Sequence, residues 1–135
     1  MRKIVRQTNE KHAGFSLLEL MIAMFILIIL ISVALPTYNR SVQHARQIVL
    51  KENLWQMRRG IDQYLADKGR LPTSIEDLVQ NQYLRETPTD PITEKAEWNE
   101  IMGEDPMSSD AEEGLKNVKS LADGKDLDGV DYKDY

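Results

Sequence analysis

Hydrophobic and polar positions fall into distinct regimes along this chain. From Phe15 to Leu35, 21 positions include three polar residues, Ser16, Glu19 and Ser32. As a helix rising 1.5 Å per residue, that run spans roughly 30 Å, one bilayer crossing. From Thr37 to Asp67 apolar residues recur in steps of three and four, at Val42, Ala45, Val49, Leu50, Leu54, Met57, Ile61, Tyr64 and Leu65. They draw one helical stripe, opposite Arg40, Gln43, Arg46, Gln47, Lys51, Arg58, Arg59 and Asp62. Pro36 separates the two regimes. It lacks an N–H and crowds the carbonyl of Ser32, which predicts a kink or local loosening, with the helix resuming at residue 37.

Gly69, flanked by Lys68 and Arg70, is suited to a left-handed cap that ends this helix. Thr73 with Glu76 three residues later makes a capping box, and Ile75, Leu78 and Val79 predict a short helix over 74–81. Tyr83 and Leu84 read as core. Pro88 and Pro91 bracket Thr89-Asp90 in an extended or turn segment. Imperfect alternation predicts a strand from Lys95 to Met102, then an exposed acidic loop from Gly103 to Gly114, then a second strand from Leu115 to Leu121.

The flank before the apolar run changes its meaning. Residues 1–14 carry Arg2, Lys3, Arg6 and Lys11 against Glu10, an excess that holds the start of the chain in the cytoplasm. A secretory signal has its small-residue cleavage site after the apolar run; here Gly14 stands before it. Glu19 is the other anomaly, because a lone charge among lipid tails costs about 2.5–3.5 kcal/mol on insertion scales. An uncleaved signal anchor with Glu19 reaching interfacial water is one explanation.

The residues Gly14, Phe15, Ser16, Leu17, Leu18 and Glu19, with Pro36 beyond them, resemble the class III signal of type IV pilins and type II secretion pseudopilins. The resemblance implies cleavage by a prepilin peptidase between Gly14 and Phe15 and N-methylation of Phe15. It also implies an α+β, pilin-like fold: a long N-terminal helix, half transmembrane and half amphipathic, packed on a small domain with a short helix and a small antiparallel sheet. The organisation expected is a leader at 1–14, a membrane and filament-core helix at 15–36, and a head at 37–135 comprising helix 37–67, helix 74–81 and a sheet with an acidic loop at 95–135. In a filament of such helices, the freed amine of Phe15 on one subunit can neutralise Glu19 of its neighbour.

Composition narrows the chemistry. About 100 residues outside the membrane make one small domain with one core. The chain has no cysteine, so something other than a disulfide fastens its loops. Its two histidines, His12 in the leader and His44 on a polar helix face, build neither a Ser/His pair nor a His-rich metal site. No catalytic site is expected. Residues 37–85 hold eight Lys/Arg against five Asp/Glu, whereas residues 86–135 hold five against fifteen. That acidic half is a solvated surface, a cation site or a dock for the basic face of another subunit, and it disfavours nucleic acid.

The end of the chain, SLADGKDLDGVDYKDY, crowds Asp123, Asp126, Asp128, Asp131 and Asp134 with Gly124 and Gly129. An EF-hand does not fit: with Gly129 sixth, the first and twelfth positions fall on Gly124 and Tyr135. The segment resembles the C-terminal calcium loop of the major type II pseudopilin, which implies Ser120, Leu121, Asp123, Asp126, Asp128 and Asp131 as ligands of a Ca²⁺ ion. A solvated acidic turn is the alternative.

The function expected is that of a structural subunit, the major pseudopilin of a type II secretion system whose periplasmic pseudopilus drives exoprotein export. A type IV pilin for adhesion, motility or DNA uptake is the alternative within the family; a membrane-tethered binding module or enzyme is the alternative outside it. The resemblance implies as partners other copies of the chain, the prepilin peptidase, an inner-membrane assembly platform with its ATPase, minor pseudopilins, and membrane lipid before assembly. It places the chain as a single-pass protein of the bacterial inner membrane, N-terminus in the cytoplasm and head in the periplasm, before it enters a periplasmic pseudopilus or surface pilus.

Overall fold

A computed structural model describes residues 13–107, 109, 110 and 112–135. The first twelve residues of the expected leader, and Ser108 and Ala111 of the expected acidic loop, lie outside the described residues. The chain divides into two compact units, Met1–Asn39 and Arg40–Tyr135.

In the first unit, helix α1 begins at Leu17; it runs as one 52-residue element to Lys68. Its residues from Leu17 to Leu35 are all solvent-exposed within the chain. The helix continues through Pro36. Pro36 offers Ser32 no N–H, and the hydroxyls nearby bond back to the turn: Ser32 Oγ donates to the Ile29 carbonyl at 2.7 Å and Thr37 Oγ1 to that of Val33 at 3.0 Å.

In the second unit, the buried residues of α1 are Gln47, Leu50, Leu54, Met57, Gly60, Ile61 and Tyr64. The stripe therefore starts later than periodicity predicts. Val42, Ala45 and Val49 are exposed, and polar Gln47 is buried, its Nε2 donating to the Tyr132 hydroxyl at 3.4 Å. Helical spacing tells which residues share a face, whereas burial depends on where the head covers it. Gly69 ends α1 with φ +68° and its N–H on the Leu65 carbonyl, the left-handed cap expected.

Helix α2 spans Ile75–Gln80 and buries Ile75 and Leu78. Its cap differs from the expected box. Ser74, not Thr73, is the N-cap, accepting from the Asp77 N–H at 3.3 Å, while the Asp77 carboxylate reaches back to the Thr73 N–H at 3.0 Å. Asp77 takes the place read for Glu76, but its carboxylate serves the N–H of Thr73, the residue before the cap, where a capping box would serve that of the cap itself. Leu84 is buried and Tyr83 partly so; the Tyr83 ring lies 5.2 Å from that of Tyr64.

Strands β1, Asn99–Glu104, and β2, Glu113–Lys119, pair antiparallel with a register shift between Ile101 and Met102. The expected loop from Gly103 to Gly114 is thus shorter. Strand pairing extends through Gly103↔Gly114 to Glu104↔Glu113, because Asp105 at the turn is buried and fully used. Its Oδ2 accepts from the Leu71 N–H and its Oδ1 from the Met107 N–H, both at 2.8 Å. Leu115 and Val118 of β2 join Leu50, Leu54, Met57, Ile61 and Tyr64 of α1, with Leu71, Ile75, Leu78 and Trp98, in one core. Each such side chain stabilises by about 1.5–3 kcal/mol when buried.

Two polar residues fix the connections. Asp90, fully buried between the prolines, accepts from the Ile92 N–H at 2.7 Å, the Thr93 N–H at 3.3 Å and the Ser120 hydroxyl at 2.6 Å. Arg58, read from the sequence as part of the polar face, is half-buried. It donates to Asn117 Oδ1 (2.8 Å), the Val118 carbonyl (3.0 Å) and the Tyr135 carbonyl (2.7 Å), tying α1 to strand and tail.

The two facing glycines of the sheet make different demands. A Cβ on Gly114 would collide with Leu71 Cβ and stand 3.1 Å from the Pro72 carbonyl oxygen, whereas one on Gly103 would meet only the aliphatic stem of Lys116, an exposed side chain that can turn aside, at 2.7 Å from its Cδ. Gly114→Ala is expected to lower the Tm of the full chain in detergent by roughly 5–15 °C, from overpacking of about 1–3 kcal/mol. Gly103→Ala should shift it far less. Equal shifts in calorimetry would show that the approach at Gly114 is not tight.

Candidate functional site

The sequence points to two sites, one at the start of α1 and one at the end of the chain. At the first, Gly14, Phe15 and Ser16 precede the helix and are exposed, with nothing within 4 Å of a Cβ placed on Gly14. The Ser16 carbonyl accepts the first helical bond, from the Leu20 N–H at 3.1 Å. Glu19 sits in the first turn, where the helix dipole favours an anion, and no cation lies within ion-pair distance of it among the described residues. Beyond it stretches the one described segment long and apolar enough to cross a membrane. The arrangement is an accessible peptide bond followed by an apolar helix that carries an acid in its first turn.

At the second site the structure distributes the expected calcium ligands instead of gathering them. Ser120 is buried, its hydroxyl donating to Asp90 and accepting from the Ala122 N–H at 3.0 Å. Leu121 is exposed, and the Asp123 carboxylate pairs with the Lys133 ammonium. Asp126 is buried in a turn: Oδ1 accepts from the N–H groups of Asp128 (2.8 Å) and Val130 (2.9 Å), and Oδ2 from the Tyr135 hydroxyl. Asp128 and Asp131 are exposed. Asp131 precedes a short 3₁₀ turn, Tyr132–Asp134, and bridges Lys125 through the backbone. Among the described residues no group of three or more acidic, His or Cys side chains stands where it could share an ion. In this arrangement Asp123, Asp126 and Ser120 each serve a partner within the protein.

Those partners set the electrostatics of the tail. The Tyr135 hydroxyl, followed by the two backbone N–H groups, holds the Asp126 carboxyl below its ordinary range, and Lys133 does the same for Asp123. Burial, reinforced by Asp126, pushes the Tyr135 phenol up. The Tyr135 ring also meets Tyr132 edge-on at 5.7 Å and carries Lys51 Nζ 4.8 Å from its centre. Sequence reading missed Arg58, Asp90 and Tyr135 as fasteners. The aromatic pair Tyr132 and Tyr135 amid the acids was the available signal for the last of them.

The depressed carboxyl gives the tail a pH dependence of definite sign. A folded value below the unfolded one of about 4 adds stability above that pH, which disappears as pH falls through the folded value. Asp126→Asn should therefore lower the melting temperature of the full chain at neutral pH and lose that difference well below pH 4. For Tyr135, the raised phenol stabilises below its unfolded value of about 10, and the contribution falls as pH rises beyond it, so Tyr135→Phe should flatten the alkaline decline. A difference between Asp126→Asn and the parent that is independent of pH would exclude this account.

Comparison with known proteins bears on the first site. Residues 10–35 match the family described as the prokaryotic N-terminal methylation motif. Over 83 residues the chain is 32% identical to Competence protein ComGC of Halalkalibacterium halodurans, a match covering 62% of this chain and 81% of that protein. No solved structure matches at a significant level. With the motif matched across the head of α1 and most of that relative covered, the chain belongs to the type IV pilin-like family.

Proposed function

We propose that the mature chain begins at Phe15 and polymerises through α1 into a pilus-like filament built from the inner membrane. The observation that carries this is the exposed Gly14-Phe15 bond directly before an apolar helix that buries none of its residues 17–35 within the chain. An apolar surface of that extent requires lipid or other helices, and cleavage after Gly14 places a new amine beside it. That amine on one copy neutralises Glu19 on the next, so the acid that is costly in lipid becomes a register pin. Before assembly the basic leader keeps the N-terminus cytoplasmic and the head periplasmic. A prepilin peptidase, an assembly platform with its ATPase and minor subunits complete the machinery this reading needs.

The filament's task in this proposal is export of folded protein by a type II pseudopilus. It is supported by the resemblance of the acidic end to that of the major type II pseudopilin. A second reading, a filament serving competence, is favoured by the similarity to Competence protein ComGC. Both share one subunit chemistry and differ in cargo.

Mass spectrometry of the membrane form should give a chain starting at N-methylated Phe15; an intact Met1 or a cut after Leu35 would exclude polymerisation by this route. Glu19→Ala should leave processing intact and reduce sedimentable filament by about tenfold or more, a loss of at least ~1.4 kcal/mol per contact. Deleting the gene separates the tasks: loss of secreted enzymes from the medium with normal transformation supports export, and the converse supports competence.

A further inference from the structure

The two strands of the head sheet differ in what else they bond. From β2 the Leu115 N–H donates to the Pro72 carbonyl at 2.7 Å, and the Val118 carbonyl accepts from Arg58 at 3.0 Å. From β1, among the described residues, no main-chain N–H or C=O bonds to anything besides β2. Asn99, Glu100, Met102 and Glu104 of β1 are exposed, and Ile101 and Gly103 half-buried. Such an open edge is a row of unpaired donors and acceptors that another extended strand can complete. The strand is also regular along its length. The register shift falls on β2, where Lys116 is the extra residue between Leu115, opposite Met102, and Asn117, opposite Ile101.

The side chains of β1 select the strand that fits. When a strand pairs antiparallel with its own copy about a two-fold axis, opposed residues share a face and their numbers add to an even sum, since a slip by one residue moves every side chain to the other face. Two long overlaps satisfy this. One centres on Met102 and sets Glu100 against Glu104 of the second copy twice over, which like-charge repulsion disfavours. The other centres on Ile101. It sets Ile101 against Ile101, Asn99 against Gly103 and Glu100 against Met102, with no two charges opposed. Met102 lies opposite fully buried Leu115 yet is itself 45% exposed, and the aliphatic stem of the second copy's Glu100 would cover its open flank. We propose that the β1 edges of two copies pair antiparallel about Ile101 and merge their sheets into one.

The glutamates of β1 therefore act as register selectors: they penalise the overlap centred on Met102 and leave the one centred on Ile101. The contact is isologous, the same patch on both copies, so it closes a pair and does not propagate. It is a head surface separate from the apolar run of α1, and it goes beyond the filament reading without depending on it.

The absence of cysteine allows a direct test in full-length protein in membranes. Ile101→Cys places one thiol at the axis, so oxidation or a short bis-maleimide should link the chain into dimers and no longer species. In that background Met102→Glu sets a like charge against Glu100 twice and should lower the dimer by about fivefold or more. Met102→Lys, at the same exposed position, should raise it, and Glu100→Lys added to Met102→Glu should restore it. General damage to the head would lower the yield in every variant, whereas the pairing moves Met102→Glu and Met102→Lys in opposite directions. Absence of a dimer through residue 101, equal yields from the two Met102 variants, or a link to a protein of another mass overturns the proposal.

Discussion

The head depends on one stripe of α1, from Leu50 to Tyr64. The other parts of the head core close over it: α2 through Ile75 and Leu78, strand β2 through Leu115 and Val118, the tail through Ala122 and Tyr132, with β1 joined to β2 by pairing. A domain of this size has little apolar area to spare, so loss of that shared face removes the common partner of all the others. Polar contacts then choose among the ways the connections could run. Arg58 joins helix, strand and tail through three hydrogen bonds, and Asp90 joins the proline-bracketed turn to Ser120.

The same helix carries two surfaces with opposite requirements. Beyond the first turn its residues up to Leu35 are apolar apart from Ser32 and are exposed, which an aqueous protein cannot sustain; the second unit has an ordinary amphipathic face. Pro36 lies near the change without ending the element, because a proline removes one hydrogen bond and the flanking turns hold.

In the tail, acid crowding pointed toward a cation, whereas the fold relieves the repulsion with its own donors. Backbone N–H groups and the Tyr135 hydroxyl serve Asp126, Lys133 serves Asp123, and the exposed acids Asp128 and Asp131 face water. Short-range composition records how many carboxylates are near one another in sequence. It does not record which donors the folded chain brings to them.

Local chemistry determined the apolar run, the motif around Gly14 and Glu19, the amphipathic rod, the Gly69 cap and the existence of a short helix and a two-stranded sheet. Each rests on properties read within a few residues: spacing, φ freedom, a missing N–H, a side chain near its own backbone. Only the tertiary structure decided that the covered stripe begins at Gln47, that Arg58 works as a clamp, that Asp90 meets Ser120 thirty positions away, and that the sheet extends to Glu104 because Asp105 docks on Leu71. These are pairings between distant segments, and their free energy depends on which surfaces meet after collapse, information that local periodicity does not carry.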